Sequence, residues 1–241
     1  TDNNTGVEAV YSHQPLMNLY FTRDQSITTP RGHIISQMNS SQRAFETEII
    51  TLCYEQLGVK PILAISGEGR LEGGDYLRGD DISFIGCGMR TNIEAIKQIM
   101  DADAFGHNTI AVVHDHKRWQ MQMHLDTYFN IIDSDLCTLV ESRYYAKEGD
   151  AEWVTVDLYT RKSGEKEYTL TQKNIPFVEF LQSKGFEIIP IKLEDELHYA
   201  NNYLTIAPRH IMAVGNQSEA LQEAFKRHGV HVEWIPLETL I

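Results

Sequence analysis

The segment DISFIGCGMRTNIEAIKQIMDADAFGHNTIAVVHD, residues 81–115, contains two short apolar runs on either side of a longer mixed stretch. The runs DISFIG and TIAVVHD are typical of strands. Between them, TNIEAIKQIM is typical of a helix, and Thr91 and Asn92 are candidate N-caps because their side chains can accept hydrogen bonds from the first turn. The segment therefore predicts a strand, a helix and a second strand.

The same alternation extends along the chain in both directions. Runs predicted as strands are LMNLYF, GHIISQM, PILAIS, HLDTYFNIID, LCTLV, WVTVDLYT, FEIIPIK, NYLTIAP, HIMAVG and VHVEWIP, and those predicted as helices are SSQRAFETEIITLCYEQLG, IPFVEFLQSKG and QSEALQEAFKRHG. The order strand, strand, helix, strand recurs every few tens of residues, which indicates an α/β protein assembled from similar units around a centre. No linker rich in Pro, Gly or Ser divides the chain, so we expect one domain over residues 1–241.

Composition and charge narrow the class of protein. The 241 residues are 42% hydrophobic and 23% charged, which is ordinary for a globular protein with a sizeable core. A formal net charge of -13 argues against a nucleic-acid partner and is compatible with a cationic ligand. No apolar run reaches the ~18 residues of a membrane span, and the start TDNNTGVEAVYSHQP lacks the pattern of a signal peptide, so we expect no membrane partner and a cytoplasmic location.

Four groups of polar residues interrupt the strand and helix pattern. They are Asn18, Arg23 and Asp24 in NLYFTRD, Glu72 and Asp75 in EGGD, His124 and Asp126 in MQMHLDTYF, and Arg43 and Arg90 near two helix starts. We interpret MQMHLDTYF as a strand, in which side chains two residues apart share a face, so His124 and Asp126 are expected to point into one space. The two glycines of EGGD would let the backbone turn tightly or approach a ligand.

These residue types together suit one kind of ligand. Carboxylates at Asp24, Glu72 and Asp126 could hold a planar, multi-donor cation through paired hydrogen bonds, which is the geometry that a guanidinium requires. Arginines could bind a carboxylate at the other end of the same ligand. The sequence thus favours a guanidino amino acid as a small-molecule ligand.

The motifs NLYFTRD, EGGD, RTN after a strand, and MHLDT resemble, in this order, those of the arginine deiminases, which are guanidine-modifying penteins of the amidinotransferase superfamily. The resemblance covers about residues 16–236. It implies a pentein fold, an α/β propeller of ββαβ modules around a central polar site, here incomplete at both ends. It also implies the hydrolysis of L-arginine to L-citrulline and ammonia through a covalent amidino-thioester, with no metal or organic cofactor.

The resemblance also implies roles for individual residues. Asp24 and Asp126 would bind the guanidinium, Glu72 would assist binding and proton transfer, and His124 would be the general acid and base. The main-chain groups of the substrate would be held by Asn18, Arg43 and Arg90, and Phe21 would line the pocket.

The nucleophile of this chemistry is a cysteine thiolate, which the resemblance places past a strand like VHVEWIP and thus beyond Ile241. We therefore expect the chain to lack the first module and the C-terminal cysteine segment, and to be inactive alone. Cys53 and Cys137 are predicted to be inert core thiols in a helix and a strand, and Cys87 is a weak candidate near Arg90. The spacing of these three cysteines suggests neither a disulfide framework nor a zinc site.

Alternative functions stay open. One is another guanidine-modifying pentein that acts on agmatine, methylated arginine or an amidino donor, although Arg43 and Arg90 would have no carboxylate to hold in agmatine. Another is a non-catalytic arginine-binding protein that keeps the acids without the thiol. Exposed sheet edges at the ends could also pair copies of the chain into a homo-oligomer.

Overall fold

The structure, a computed structural model, describes residue 16 and residues 18–236. The strands are β1 (Ser26–Thr29), β2 (Gly32–Ile35), β3 (Leu63–Ala64), β4 (Tyr76–Arg78), β5 (Ile82–Cys87), β6 (Thr109–Asp115), β7 (Phe129–Asp133), β8 (Leu136–Val140), β9 (Val154–Thr160), β10 (Thr169–Pro176), β11 (Glu187–Ile191), β12 (Leu204–Ala207), β13 (His210–Val214) and β14 (His231–Ile235). The helices are α1 (Glu46–Gln56), α2 (Ile93–Asp101), α3 (Leu125–Tyr128), α4 (Glu141–Tyr144), α5 (Phe177–Ser183), α6 (Leu193–Glu196) and α7 (Glu219–Arg227).

Four ββαβ units account for most of these elements. In each unit an antiparallel strand pair is followed by a helix and a strand that returns parallel to the second strand, and the four sets are β1-β2-β3, β4-β5-β6, β7-β8-β11 and β12-β13-β14. A parallel neighbour requires a crossover connection, and α1, α2, α5 and α7 lie in the four crossovers. The predicted α/β fold of repeated units is confirmed.

The crossover of the third unit contains an additional hairpin, β9 and β10. Strand β9 pairs antiparallel with β6 along its full length, so the sheet of the second unit has five strands in the order β10-β9-β6-β5-β4. The hairpin therefore joins the third unit to the second. Strand β10 is not predicted from the sequence, because TLTQKNIP shows no apolar alternation. Its residues are mostly exposed, and it forms by pairing with β9.

Two apolar clusters form the core. The first extends over the second, third and fourth units and includes Phe84, Phe129 and Phe180, and the second packs α2 against the sheets of the first two units. Helix α2 shows how the local sequence positions these elements: the Asn92 side chain accepts a hydrogen bond from the backbone N–H of Ala95, and the apolar side chains of the helix face inward. Each large apolar side chain buried in this way contributes about 1.5–3 kcal/mol to stability.

Three local expectations were wrong. HLDTYFNIID is not one strand: β7 begins only at Phe129, and Leu125–Tyr128 is the short helix α3. In LMNLYF, the described residues adopt turns rather than a strand, and Met17 lies outside the described residues. Cys53 is exposed on the outer face of α1 and is not a core thiol, whereas Cys137 is buried in β8 as expected.

Within residues 18–236, every helix is too short or too polar to cross a bilayer. The N-terminal stretch on which the absence of a signal peptide was predicted lies outside the described residues.

Candidate active site

The polar cluster is built from the segments that immediately precede the first strands of three units. Asp24 comes before β1, Glu72 before β4 and His124 before β7. Donor atoms of these three side chains all lie within 4.8 Å of one another, and all three residues are buried. The repeated ββαβ units therefore bring together residues that are up to 100 positions apart in the chain.

Glu72 and His124 form the centre of the cluster. His124 Nε2 lies 2.9 Å from Glu72 Oε2, and the other carboxylate oxygen accepts the backbone N–H of Asn39 at 3.1 Å. Burial opposes the charged imidazolium, but the bond to Glu72 and the neighbouring aspartates outweigh burial and raise the pKa of His124 to about 9. Although burial also works against the Glu72 carboxylate, its bond to His124 keeps the pKa of Glu72 below its ordinary value. The pair is therefore an imidazolium and a carboxylate at neutral pH.

Asp126 holds a guanidinium from within the chain. Its Oδ2 lies 3.0 Å from Nε of Arg23, whose side chain remains 42% exposed while that of Asp126 is buried. Burial raises the pKa of Asp126, and the charges of Arg23 and His124 oppose that rise. Arg23 also donates to the carbonyl oxygen of Tyr76 at 3.3 Å.

Asp24 is held by a second, buried guanidinium. Arg43 Nη1 donates to Asp24 Oδ2 at 2.8 Å, and Nη2 of the same group donates to Glu46 Oε2 at 2.8 Å. Gln25, which is fully buried, donates from Nε2 to the same Glu46 oxygen at 2.7 Å. Burial disfavours the Arg43 cation, but the bonds to Glu46 and Asp24 prevail and raise the pKa of Arg43.

The EGGD turn supplies the space and the support for the histidine segment. A Cβ atom on Gly74 would lie 2.8 Å from the His124 ring and 2.9 Å from Asp126 Oδ1, and one on Gly73 would lie 1.9 Å from the carbonyl oxygen of Arg23. The expected close approach thus occurs, and the approaching groups belong to the protein itself. Asp75 Oδ1 accepts the backbone N–H of Leu125 at 2.9 Å, which fixes the first turn of α3 against the cluster.

His124 and Asp126 share one space, but not because of a strand. His124 is the N-cap residue of α3, with extended backbone angles, and Asp126 lies in the first turn. Both side chains pack over Gly74. Burial raises the pKa of Asp75, behind this turn, to about 6, against the opposing charge of His124.

The other residues predicted for the site differ in their distance from the cluster. Arg90 precedes α2, and its Nη1 lies 3.7 Å from Glu72 Oε1, so it adjoins the cluster. Arg43 belongs to the cluster, but its guanidinium is bound by Asp24 and Glu46, and a ligand carboxylate would compete with these acids. Asn18 and Phe21 lie exposed in the turns that lead to Asp24, with the Phe21 ring packed edge-on against Tyr20.

Cys53, Cys87 and Cys137 are poorly suited to nucleophilic attack. Burial raises the pKa of Cys87 to about 11 with added repulsion from Asp75, and burial raises that of Cys137 still further. Because the thiolate is the reactive form, these raised pKa values disfavour nucleophilic attack by either thiol at neutral pH. Cys53 is exposed on α1. Only the first turn of this helix, with Glu46, belongs to the cluster, and Cys53 lies two turns further along.

Asp24, Glu72 and His124 are close enough to one another to bind a metal ion, yet their electrostatics argue against it. A metal-ligating histidine is neutral, so a metal ion would have to displace the proton that the surrounding acids favour on His124. Arg43 lies 3.8 Å from Glu72 and 2.8 Å from Asp24, so the cluster already contains its own cations. The arrangement instead suits a flat organic cation that can replace one of these guanidinium groups.

Sequence reasoning missed Glu46 and the roles of Arg23 and Gln25. The spacing RxxE at positions 43–46 is a helical i, i+3 spacing that permits an ion pair, so Glu46 could have been found from the sequence. Arg23 and Gln25 flank Asp24 in the chain, and only the folded structure shows which acids they contact.

Comparison with solved structures defines the fold class of this site. The dimethylarginine dimethylaminohydrolase of Pseudomonas aeruginosa, as a Cys-to-Ser mutant complexed with citrulline, is similar with a TM-score of 0.62 at 20% identity over 90% of this chain and 69% of that one. The apo structure of ArgZ, an arginine dihydrolase from the ornithine-ammonia cycle in cyanobacteria, is similar with a TM-score of 0.68 at 15% identity over 93% of this chain and 30% of that one. The chain has the pentein fold.

Sequence comparison gives the family. The family model described as arginine deiminase matches residues 2–240, so the chain belongs to the arginine deiminase family. Among curated relatives, the arginine deiminase of Halobacterium salinarum is 27% identical over 86% of this chain and 55% of its own length, and that of Oenococcus oeni is 28% identical over 92% and 56%. The chain thus spans a little over half the length of these relatives.

Proposed function

We propose that the chain binds the guanidinium of L-arginine in the cluster of Asp24, Glu72, His124 and Asp126, as part of an enzyme that hydrolyses L-arginine to L-citrulline and ammonia. The convergence of these four buried side chains from three separate units carries the proposal. Arg23 and Arg43 support it, because each places a guanidinium against one of the proposed binding aspartates. Membership of a family of guanidino-group hydrolases also supports it.

In this reaction water replaces one NH2 group of the guanidinium, which leaves as ammonia. His124 is protonated in the ligand-free cluster and is proposed to give that proton to the departing nitrogen, with Glu72 holding the imidazole in place. Once neutral, the same imidazole accepts a proton from the attacking water. We propose an amidino-thioester intermediate: a cysteine thiolate attacks the guanidinium carbon as ammonia leaves, and the water then attacks the same carbon, breaks the C–S bond and releases citrulline and the thiolate. This nucleophile is assigned to none of Cys53, Cys87 and Cys137.

Arginine binding and arginine hydrolysis are tested separately with the purified full-length protein, because none of the three cysteines of this chain is assigned as the nucleophile. Calorimetry should detect binding of L-arginine, and Asp126→Asn should weaken it by at least about 30-fold, since truncating one partner of a buried charge pair costs 2–5 kcal/mol. Asp101→Asn, an exposed acid at the end of α2, is the matched control and should leave affinity unchanged. Failure to bind any guanidino compound would overturn the whole proposal.

Citrulline release then distinguishes the alternatives. We expect release from L-arginine in preference to agmatine or methylated arginine, and loss of release in His124→Ala by several orders of magnitude. Arginine binding without any citrulline release would instead favour a non-catalytic arginine-binding protein. Preferential turnover of methylated arginine or agmatine would place the chain with other guanidine-modifying penteins.

A further inference from the structure

A second cluster of ionisable side chains lies on the sheet of the fourth unit, outside the candidate active site. His210 begins β13, and His231 and Glu233 lie on β14. His210 and His231 are direct partners in the parallel pair, and Glu233 follows His231 by two residues. Side chains in these positions project from the same face of the sheet.

The geometry brings nitrogen and oxygen donors together on this face. His210 Nε2 lies 2.7 Å from Glu233 Oε1, and the His210 and His231 ring centroids are 4.6 Å apart. One donor atom from each of the three residues can be chosen so that all lie within 4.8 Å of one another. On the opposite face of β14, Val232 packs against the apolar core, and the exposed Trp234 ring lies 6.3 Å from the Phe225 ring of α7, so the strand that carries two of the three residues is anchored.

We infer that His210, His231 and Glu233 form a site for a divalent zinc-type cation. Two imidazoles and one carboxylate are a ligand set that Zn²⁺ binds with metal–donor distances of about 2.0–2.2 Å, and a water completes the tetrahedron. Such distances place ligand atoms roughly 3.3 Å apart. Reaching this arrangement requires the hydrogen bond between His210 and Glu233 to open slightly, and both side chains are partly exposed and have room to move.

The chemistry of the donors selects among metals. Imidazole nitrogen suits zinc and its transition-metal neighbours, whereas Mg²⁺ and Ca²⁺ prefer sites made of oxygen donors. The cluster is solvent-accessible, so an ion can enter without any rearrangement of the sheet. The ion would cross-link β13 to β14 by side chains in addition to their backbone hydrogen bonds.

Zinc binding by the purified protein tests the site. Equilibrium dialysis against ZnCl₂ should give one bound ion per chain in this site. His231→Ala or His210→Ala should weaken zinc binding by at least about 100-fold, because each removes a direct ligand, and this costs more affinity than removing a group that only orients a ligand. MgCl₂ should not compete. His228→Ala is the matched control, because that histidine contacts Glu187 and should not affect zinc binding.

Two further measurements make the result specific. Zn²⁺ should raise the midpoint of thermal unfolding of the protein and of His124→Ala, but not of His231→Ala. L-arginine affinity should be the same in His231→Ala as in the unmodified protein. The inference is overturned if the protein binds no zinc, if His210→Ala and His231→Ala bind zinc unchanged, or if His124→Ala alone removes zinc binding.

Discussion

Arg23 Nε lies 3.0 Å from Asp126 Oδ2, so a carboxylate proposed to bind the guanidinium of a ligand already binds one that belongs to the chain. The Arg23 side chain is 42% exposed and can swing away, whereas Asp126 is fixed and buried. A ligand guanidinium that takes this place must first displace Arg23. Arg23 therefore competes with the ligand for Asp126. When no ligand is bound, it also supplies the counter-charge that this buried carboxylate needs.

Arg23→Gln is expected to strengthen L-arginine binding by a few-fold, because the internal competitor is removed while the ligand restores the charge balance at Asp126. Calorimetry would measure the change, with Arg227→Gln, an exposed arginine at the end of α7, as the control. Weaker binding in Arg23→Gln would contradict this prediction and make Arg23 a positioning residue for Asp126.

The contact between Glu72 and His124 predicts a specific pH dependence. NMR titration of the imidazole should give a pKa of about 9 for His124, and Glu72→Gln should lower it, because the bond to the carboxylate is the main influence that favours the charged form. A histidine whose pKa in the folded protein exceeds its unfolded value stabilises the fold below the unfolded pKa, and this contribution is lost as pH rises through the folded value.

The free energy of unfolding should consequently fall between about pH 6.5 and pH 9 in the unmodified protein, and this fall should be smaller in Glu72→Gln. Chemical unfolding at several pH values measures both slopes. Equal slopes in the two proteins would mean that His124 does not depend on Glu72 for its charge.

Gly74→Ala should destabilise the fold by about 1–3 kcal/mol, since its new methyl group would overlap the His124 ring and Asp126 Oδ1. The same substitution in a His124→Ala background should cost less, because the ring that it meets is gone. A double-mutant cycle of unfolding free energies measures the difference. An additive cycle would show that the contact with His124 is not the cause.

Gln25→Glu should destabilise the protein by about 3 kcal/mol at neutral pH. The substitution removes the hydrogen bond that Gln25 donates to Glu46 and places a second buried carboxylate beside it. Lower pH should restore part of the loss by protonating one of the two acids. Gln56→Glu at the exposed end of α1 is the matched control and should change stability by no more than about 0.5 kcal/mol. Similar stability in both variants would rule out a supporting role for Gln25.

The amino-acid sequence was sufficient to predict the elements whose burial is encoded locally. Apolar runs such as ISFIG and TIAVVHD became β5 and β6, and Asn92 became the N-cap of α2, because strand and helix periodicity and capping depend on near neighbours in the chain. The repeated order of elements predicted the ββαβ units. The types of residue in the polar cluster, and their order along the chain, were likewise visible in the sequence.

Contacts between distant residues were decided only by the tertiary structure. His124 and Asp126 share a space through a helical turn over Gly74, and the pairing of Arg23 with Asp126 depends on the path that brings separate units to one centre. The hairpin of β9 and β10 joins the neighbouring sheet although β10 has no apolar pattern. The physical reason is that periodicity records which face of an element is buried, while the identity of the group against it depends on chain topology.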